Sequence, residues 1–574
     1  MTNTPNFDKA LNKILKDLRP LEKICKECKE KFRIEQGDID FYKMVRVPPP
    51  THCPLCRLKR RLSHHIRMPR FFKKESAMKD KKKILTIFPP ETKHKIYDFH
   101  YWHGDNWDAI EYAREYDESK PFFEEFKNLF FSIPHLPMER DPKGTNTDYS
   151  LGGLKTSSVY FSGGAVESED LTYCYEIRYS RNLIDCHNTR DSELCYESIG
   201  SDHCSKCQHI TECSNCLESL FLFDCKNCQN CFLSANLRNK SYIFENKQLS
   251  KKEYEKKIKN IGLGKRSIRN EYIQKFQKLI QESTHRATKN INVENCVGDY
   301  LTNCKNCYFT FRSENSENAR FSTIFARAKN VMDVVGTISE YTYEITSGTA
   351  HNTKFCLQVR EGTFLEYCIE CYNCHNCFGC IGLKNKQFHI FNKPYEESEY
   401  YKKVDSIKTK MLEREEYGEF FPTKLGLMPH QGSSSQLYFP ITKKEAMEKE
   451  IPWYEEPESE IPEKMQQLQA PNEIPENIQD IDNSILEKAI ICEITKKPFR
   501  ITKNELAFYR KMNIPIPTIH PFKRILKRAA QDHNLWLFPF ACPKCSKKTW
   551  SVYPPEKQKK LNILCEACYL KEIN

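Results

Sequence analysis

Eight cysteines of this 574-residue chain stand in two sets whose spacing suits a metal ion. Cys25, Cys28, Cys53 and Cys56 form C-x2-C-x24-C-x2-C, and Cys542, Cys545, Cys565 and Cys568 form C-x2-C-x19-C-x2-C. Two such pairs supply four thiolates to a tetrahedral site. Four protein ligands leave no position for water, so the expected ion is structural rather than catalytic. Two zinc ions per chain are expected. Iron in a rubredoxin-like site has the same ligand set and would differ in colour.

The residues after Cys56 are basic. Arg57, Lys59, Arg60 and Arg61 lie on a helical pattern whose first turn carries the last two thiols, as in a treble-clef knuckle. Arg67, Lys82 and Lys83 follow, near Phe71 and Phe72. This set is the candidate nucleic-acid surface. Residues 1–105 hold 25 Lys and Arg against 13 Asp and Glu, and residues 488–574 hold 18 against 6. Each end is therefore +12, and the 382 residues between them are −12. Basic ends suit a polyanion, RNA or DNA; the plainer reading is a solvated face.

The two ends are copies of one another. Residues 24–61 align with 491–528 without a gap, with 14 of 38 positions identical, among them Arg57 with Arg524 and Arg61 with Arg528. The second copy has Cys492, Thr495, His520 and Lys523 at the four ligand positions, so it is expected to have lost its metal. The following units reverse this. Lys82-Lys83 and Phe88-Pro89-Pro90-Glu91 align with Lys547-Lys548 and Tyr553-Pro554-Pro555-Glu556, and here the early copy has lost its thiols at Ala77 and Asp80. His100 and His103 stand near its second pair and are weak ligand candidates. Each end is thus a tandem of two ribbon-like units that keeps one metal.

Between the ends, cysteines recur at intervals of 21: Cys174, Cys195, Cys216; Cys186, Cys207, Cys228; Cys204, Cys225; and later Cys356 and Cys377, with Val335 one step before. A fixed period with few helical stripes implies a stacked β-solenoid. Asn-Cys pairs such as Asn303-Cys304 suit its corners, because asparagine tolerates the turn. The solenoid is doubled, since residues 225–258 and 371–404 share 15 of 34 positions. Stacked thiols are expected to be reduced interior residues, with Cys225, Cys228 and Cys231 the best candidates for a further ion.

The fold class is therefore multidomain and mainly β. Tandem zinc-ribbon modules at 20–105 and 488–574 flank solenoid halves at 145–260 and 296–410, each ending in a capping helix. A connecting helix is expected over 261–295 and a linker over 411–487, mostly extended over 452–483, with 405–451 packing locally around Tyr438-Phe439-Pro440. No run reaches the ~20 apolar residues of a membrane helix, and the N-terminus lacks the apolar core of a signal peptide. A cytoplasmic, reducing setting follows, with no membrane partner.

The combination resembles an uncharacterised family of cysteine-rich zinc-ribbon and solenoid proteins of candidate-phylum bacteria. The segments that carry it are VPPPTHCPLCRLKRR at 47–61, NLRNKSYIFENKQLSKKEY at 236–254, QLYFPITKKEA at 436–446, CEITKKPFRI at 492–501 and CEACYLKEI at 565–573. The resemblance implies this architecture and no activity. Some relatives bear a CoA-transferase label, which a chain with 19 glycines and no dinucleotide-type glycine loop does not support. The leading expectation is a non-enzymatic zinc-binding scaffold contacting nucleic acid or a ribonucleoprotein. A protein-interaction scaffold using the solenoid surface is second. A hydrolase or nuclease is third: Asp185, Asp191 and Asp202 lack a stacked register, and His64-His65 follows an already filled metal site.

Overall fold

The computed structural model describes residues 3–323, 327–455 and 468–573. Its two largest sheets are stacks of short parallel strands, one over 150–244 and one over 290–390. In the first, Gly163 pairs with Tyr175, Tyr175 with His187 and His187 with Ile199; Tyr196, Gln208, Leu220, Phe232 and Phe244 form a second series at the same interval. Each turn of chain is therefore twelve residues. From Tyr173 to Asn239 every third residue has φ between +44° and +60°. A four-cornered coil with three residues to a side results, and asparagine recurs at its corners (Asn182, Asn188, Asn215, Asn227, Asn239), where it bears the left-handed conformation at low cost.

The residue after each corner points inward. One full coil reads Cys204, Cys207, Ile210, Cys213, all at most 1% exposed. The lumen is narrow, so it takes small side chains that can also satisfy the backbone. Cys204 donates its thiol to the Asp202 carbonyl at 3.3 Å, and Ser219 donates its hydroxyl to the Leu217 carbonyl at 2.9 Å. Cysteine and serine thus do the same work, and neither leaves a buried polar atom unpaired. The 21-residue interval corrects accordingly. It is a multiple of the three-residue side but not of the twelve-residue coil, so Cys186, Cys207 and Cys228 lie on different sides rather than in one column.

After each stack a helix follows. Lys251–Ile261 places Tyr254 5.9 Å from Tyr242, and Glu397–Glu413 places Tyr400 5.6 Å from Phe388. In the 261–295 segment, helix Arg266–Glu282 packs Phe276 on Phe221 and is succeeded by strands Thr284–Arg286 and Asn290–Ile291. The segment 411–487, expected as a linker, is packed on the protein at both its ends. Phe420, Phe421, Leu425 and Met428 are buried in the largest core, and Ile474, Ile478, Ile481 and Ile485 are buried against the C-terminal module. Apolar residues spaced every three or four positions carry this segment across the surface; its residues 456–467 lie outside the described ones. Among the described residues no helix is long and apolar enough to cross a membrane.

Candidate metal centres and the arginine clamps

In the N-terminal module the antiparallel strands Leu21–Ile24 and Lys31–Ile34 hold Cys25 and Cys28 in their tight turn. Cys53 caps helix Pro54–His64, accepting a hydrogen bond from the Cys56 backbone N–H. The C-terminal site repeats the plan with strands Phe538–Ala541 and Lys548–Ser551 and helix Glu566–Ile573. In each site the four sulfurs lie within 4.8 Å of one another. Cys28 and Cys53 are 3.8 Å apart and Cys545 and Cys565 3.6 Å. Ligands 2.3 Å from a tetrahedral ion sit about 3.8 Å from each other. The residues present fit such an ion.

One thiol in each site is favoured as the thiolate, while Cys28 and Cys565 are pushed up by burial and Cys56 and Cys568 by the neighbouring thiols. Hydrogen bonding from the Cys56 thiol brings Cys53 down to about 5. At Cys542 burial acts the other way, but backbone N–H groups of Cys565, Lys544 and Cys545 outweigh it and bring the thiol to about 6. A thiolate surrounded by donors is the form a metal takes up.

The decayed copies keep the backbone without the ligands. The His520 N–H donates to Cys492 Sγ at 3.2 Å, just as the Cys53 N–H donates to Cys25 Sγ at 3.3 Å. Lys523 and Thr495 offer no thiolate there. In the other decayed unit, His103 stacks on Tyr372 and is no part of a ligand cluster. Among the described residues no three coil cysteines bring their sulfurs within 4.8 Å of one another, Cys225, Cys228 and Cys231 included.

The arginines that read as a nucleic-acid surface are a correction. Arg57 Nε lies 2.8 Å from Asp333 Oδ2, and Arg61 reaches Asp333 at 2.7 Å and Glu344 at 3.1 Å. Arg60 pairs with Glu344 and Glu419, and Arg67 with Glu139 at 2.8 Å. Both Arg57 and Arg61 are at most 1% exposed, so no phosphate can reach them. Arg67 also presents its carbonyl oxygen where a Cβ on Gly163 would come within 1.9 Å, which is why that strand carries glycine. Of the sequence set, Lys59 lies over the Phe439 ring, and Lys82 and Lys83 are exposed.

The C-terminal module repeats this docking on the other stack. Arg524 and Arg528 both pair with Asp185, and Arg528 also reaches Glu197 at 3.0 Å. Tyr42 meets Tyr343, and Tyr509 meets Tyr196, each at 6.1 Å. The N-terminal module is thus clamped to the second stack and the C-terminal module to the first. Asp185, one of the carboxylates considered for hydrolysis, is occupied as a docking group. The carboxylates of Asp333, Glu344 and Glu197 are the functional residues that sequence reasoning missed, and Asp185 is one that it read in another role. Their signal was the persistence of Arg524 and Arg528 in a copy that keeps only Cys492 of the four cysteines.

His64 and His65 are buried as well, His64 near the Phe421 carbonyl at 3.3 Å and His65 near Ser434 Oγ at 2.9 Å. Burial holds both imidazoles below the ordinary range. No family model matches the chain, and no curated protein matches it.

Proposed function

We propose that the protein is a non-enzymatic scaffold in which two zinc-bound modules of ribbon or treble-clef type lock a pair of β-solenoids together. The observation that carries it is the pairing of each knuckle helix with carboxylates of a stack. In the N-terminal module the metal site fixes the helix start and so aims Arg57 and Arg61 at their partners; in the C-terminal module Arg524 and Arg528 lie on helix Pro521–Ala529 of the unit without the ligand set, next to the metal-binding one. Stiff side-by-side stacks offer a long surface, and a closed tetrathiolate set suits a structural ion rather than a reaction.

With the arginines buried, each terminal module still presents a lysine-bearing hairpin to a polyanion. Lys79, Lys81, Lys82 and Lys83 are exposed on one, and Lys544, Lys547 and Lys548 on the other. They support contact with RNA through its phosphates, without base reading. The test is filter binding of the full chain to single-stranded RNA. If Lys82, Lys83, Lys547 and Lys548 meet four phosphates, affinity should fall about 50-fold between roughly 50 and 200 mM salt. Glu at those four positions should abolish most of that slope and leave metal content unchanged. No binding at the lower salt would pass the leading role to a protein partner.

A further inference from the structure

Helix Arg266–Glu282, the first stack and the C-terminal module meet around a cavity of about 180 Å³. Most of its wall is apolar: Ile199 comes from a coil, Ile273 and Phe276 from the helix, and Ile514 and Ile516 from the module. An apolar cavity of about 150 Å³ admits benzene, so there is room for a ring-sized ligand.

The wall also carries a charge that no carboxylate balances. Arg269 is 3% exposed, and its guanidinium meets three neutral acceptors: the Leu263 carbonyl at 3.1 Å, Gln208 Oε1 at 2.9 Å and the Asn513 carbonyl at 3.0 Å. Among the described residues it has no ion pair, whereas buried charges are normally paired. Burial lowers its pKa from 12.5 to about 10, which leaves it protonated at neutral pH. The carboxylates around it serve other cations. Glu197 pairs with Arg528 at 3.0 Å, Asp185 pairs with Arg524 and Arg528, and the exposed Glu493 acts on Arg266. Lys527, exposed on the same wall, acts on Glu197 but forms no ion pair among the described residues.

A second, independent sign of a ligand is His209, also on this wall. It is 8% exposed and stacks on Phe221 with ring centroids 4.8 Å apart, and its Nε2 is buried without a hydrogen-bond partner among the described residues. Burial, Arg269 and Lys527 together hold this imidazole well below its ordinary range, so the ring is neutral and both cations bear on it. An unfilled buried polar atom costs free energy until a partner arrives. A cation without a counter-ion, an unfilled ring nitrogen and apolar walls suit an anion with an apolar body. A carboxylate fits them better than a phosphate, whose oxygens ask for more donors.

We propose that this cavity binds a small organic carboxylate, its oxygens between Arg269 and His209 and its apolar body against the isoleucines. The site is separate from the lysine hairpins and stands or falls without them. Calorimetric titration of the full, metal-loaded chain with sodium benzoate tests it. One saturable site per chain is expected, and benzamide, which has the ring without the charge, should bind about tenfold more weakly or worse. Arg269→Gln should weaken benzoate about tenfold or more. His209→Phe, which keeps a ring on Phe221, should weaken it severalfold. Lys82→Glu with Lys83→Glu should leave the affinity unchanged. If Arg269→Gln fails to fold, His209→Phe and the comparison with benzamide still decide. The proposal is overturned by no saturable benzoate binding up to about 10 mM, by equal affinity for benzamide, or by indifference to His209→Phe and to a folded Arg269→Gln.

Discussion

Arg61 and Arg528 are counterparts, and each bridges two carboxylates on neighbouring coils. Arg61 spans Asp333 at 2.7 Å and Glu344 at 3.1 Å, and Arg528 spans Asp185 at 2.8 Å and Glu197 at 3.0 Å. The duplication therefore extends beyond each module to the surface it docks on.

Arg61→Ala leaves Asp333 and Glu344 buried beside fewer cations. Breaking one side of a buried pair costs about 3–5 kcal/mol, so the urea midpoint should fall sharply. Adding Asp333→Asn and Glu344→Gln should recover much of the loss. A change below about 1 kcal/mol would place the arginine in water rather than in a clamp.

Metal content should be two ions per chain, by elemental analysis of reduced protein. Cys53→Ser should lose one ion and expose the N-terminal module to protease, because metal binding there is folding free energy of about 10–16 kcal/mol in small zinc modules. His520→Ser, at the matching position of the copy held by Cys492 and backbone hydrogen bonds, should lose none. Equal damage from both would show that the second copy still holds an ion.

Cys228→Ser tests the lumen. The Cys228 thiol donates to the Lys226 carbonyl at 3.4 Å, and a hydroxyl can do the same. Stability should shift by about 1 kcal/mol or less, with two ions retained. Loss of an ion would make the coil thiols ligands after all.

Stability should also depend on His533, which lies between Asp299 at 2.7 Å and Glu212 at 2.8 Å, near Lys289, Tyr300 and Tyr553. Burial alone would lower its pKa, but the two carboxylates outweigh that and push it up to about 10 from 6.5. A folded value above the unfolded one gives stability that is whole below about pH 6.5 and lost as pH rises through about 10. Melting temperatures should therefore decline across that window, and His533→Gln should remove the decline. An unchanged slope in the variant would assign the effect to other groups.

The metal sites were legible because their ligands are near in sequence and few residue types can serve. Cys25 and Cys28 share one turn, and the helix after Cys56 follows from its own periodicity. The coil length was not, since cysteine samples the inward positions only in part. Ser219, Leu222 and Ile210 occupy the same positions, and without them the three-residue side shows up as 21. The fate of Arg57 was illegible for another reason. A basic helix face looks the same whether it meets phosphate or a buried carboxylate, and Asp333 lies 276 positions away.

That separation also orders events during synthesis. At about 5–20 residues per second, the ribosome needs roughly 15–55 s to pass from Arg57 to Asp333. The N-terminal knuckle can close around its ion at once, but its arginines must wait in solvent while the first stack, which will never receive them, emerges and coils. The first stack waits in turn for Arg524. The N-terminal clamp can close once Asp333 and Glu344 have emerged, but the other must wait for Arg524 and Arg528 near the end of synthesis, so that a ribosome stalled between the two releases a chain with one module docked and the first stack uncovered.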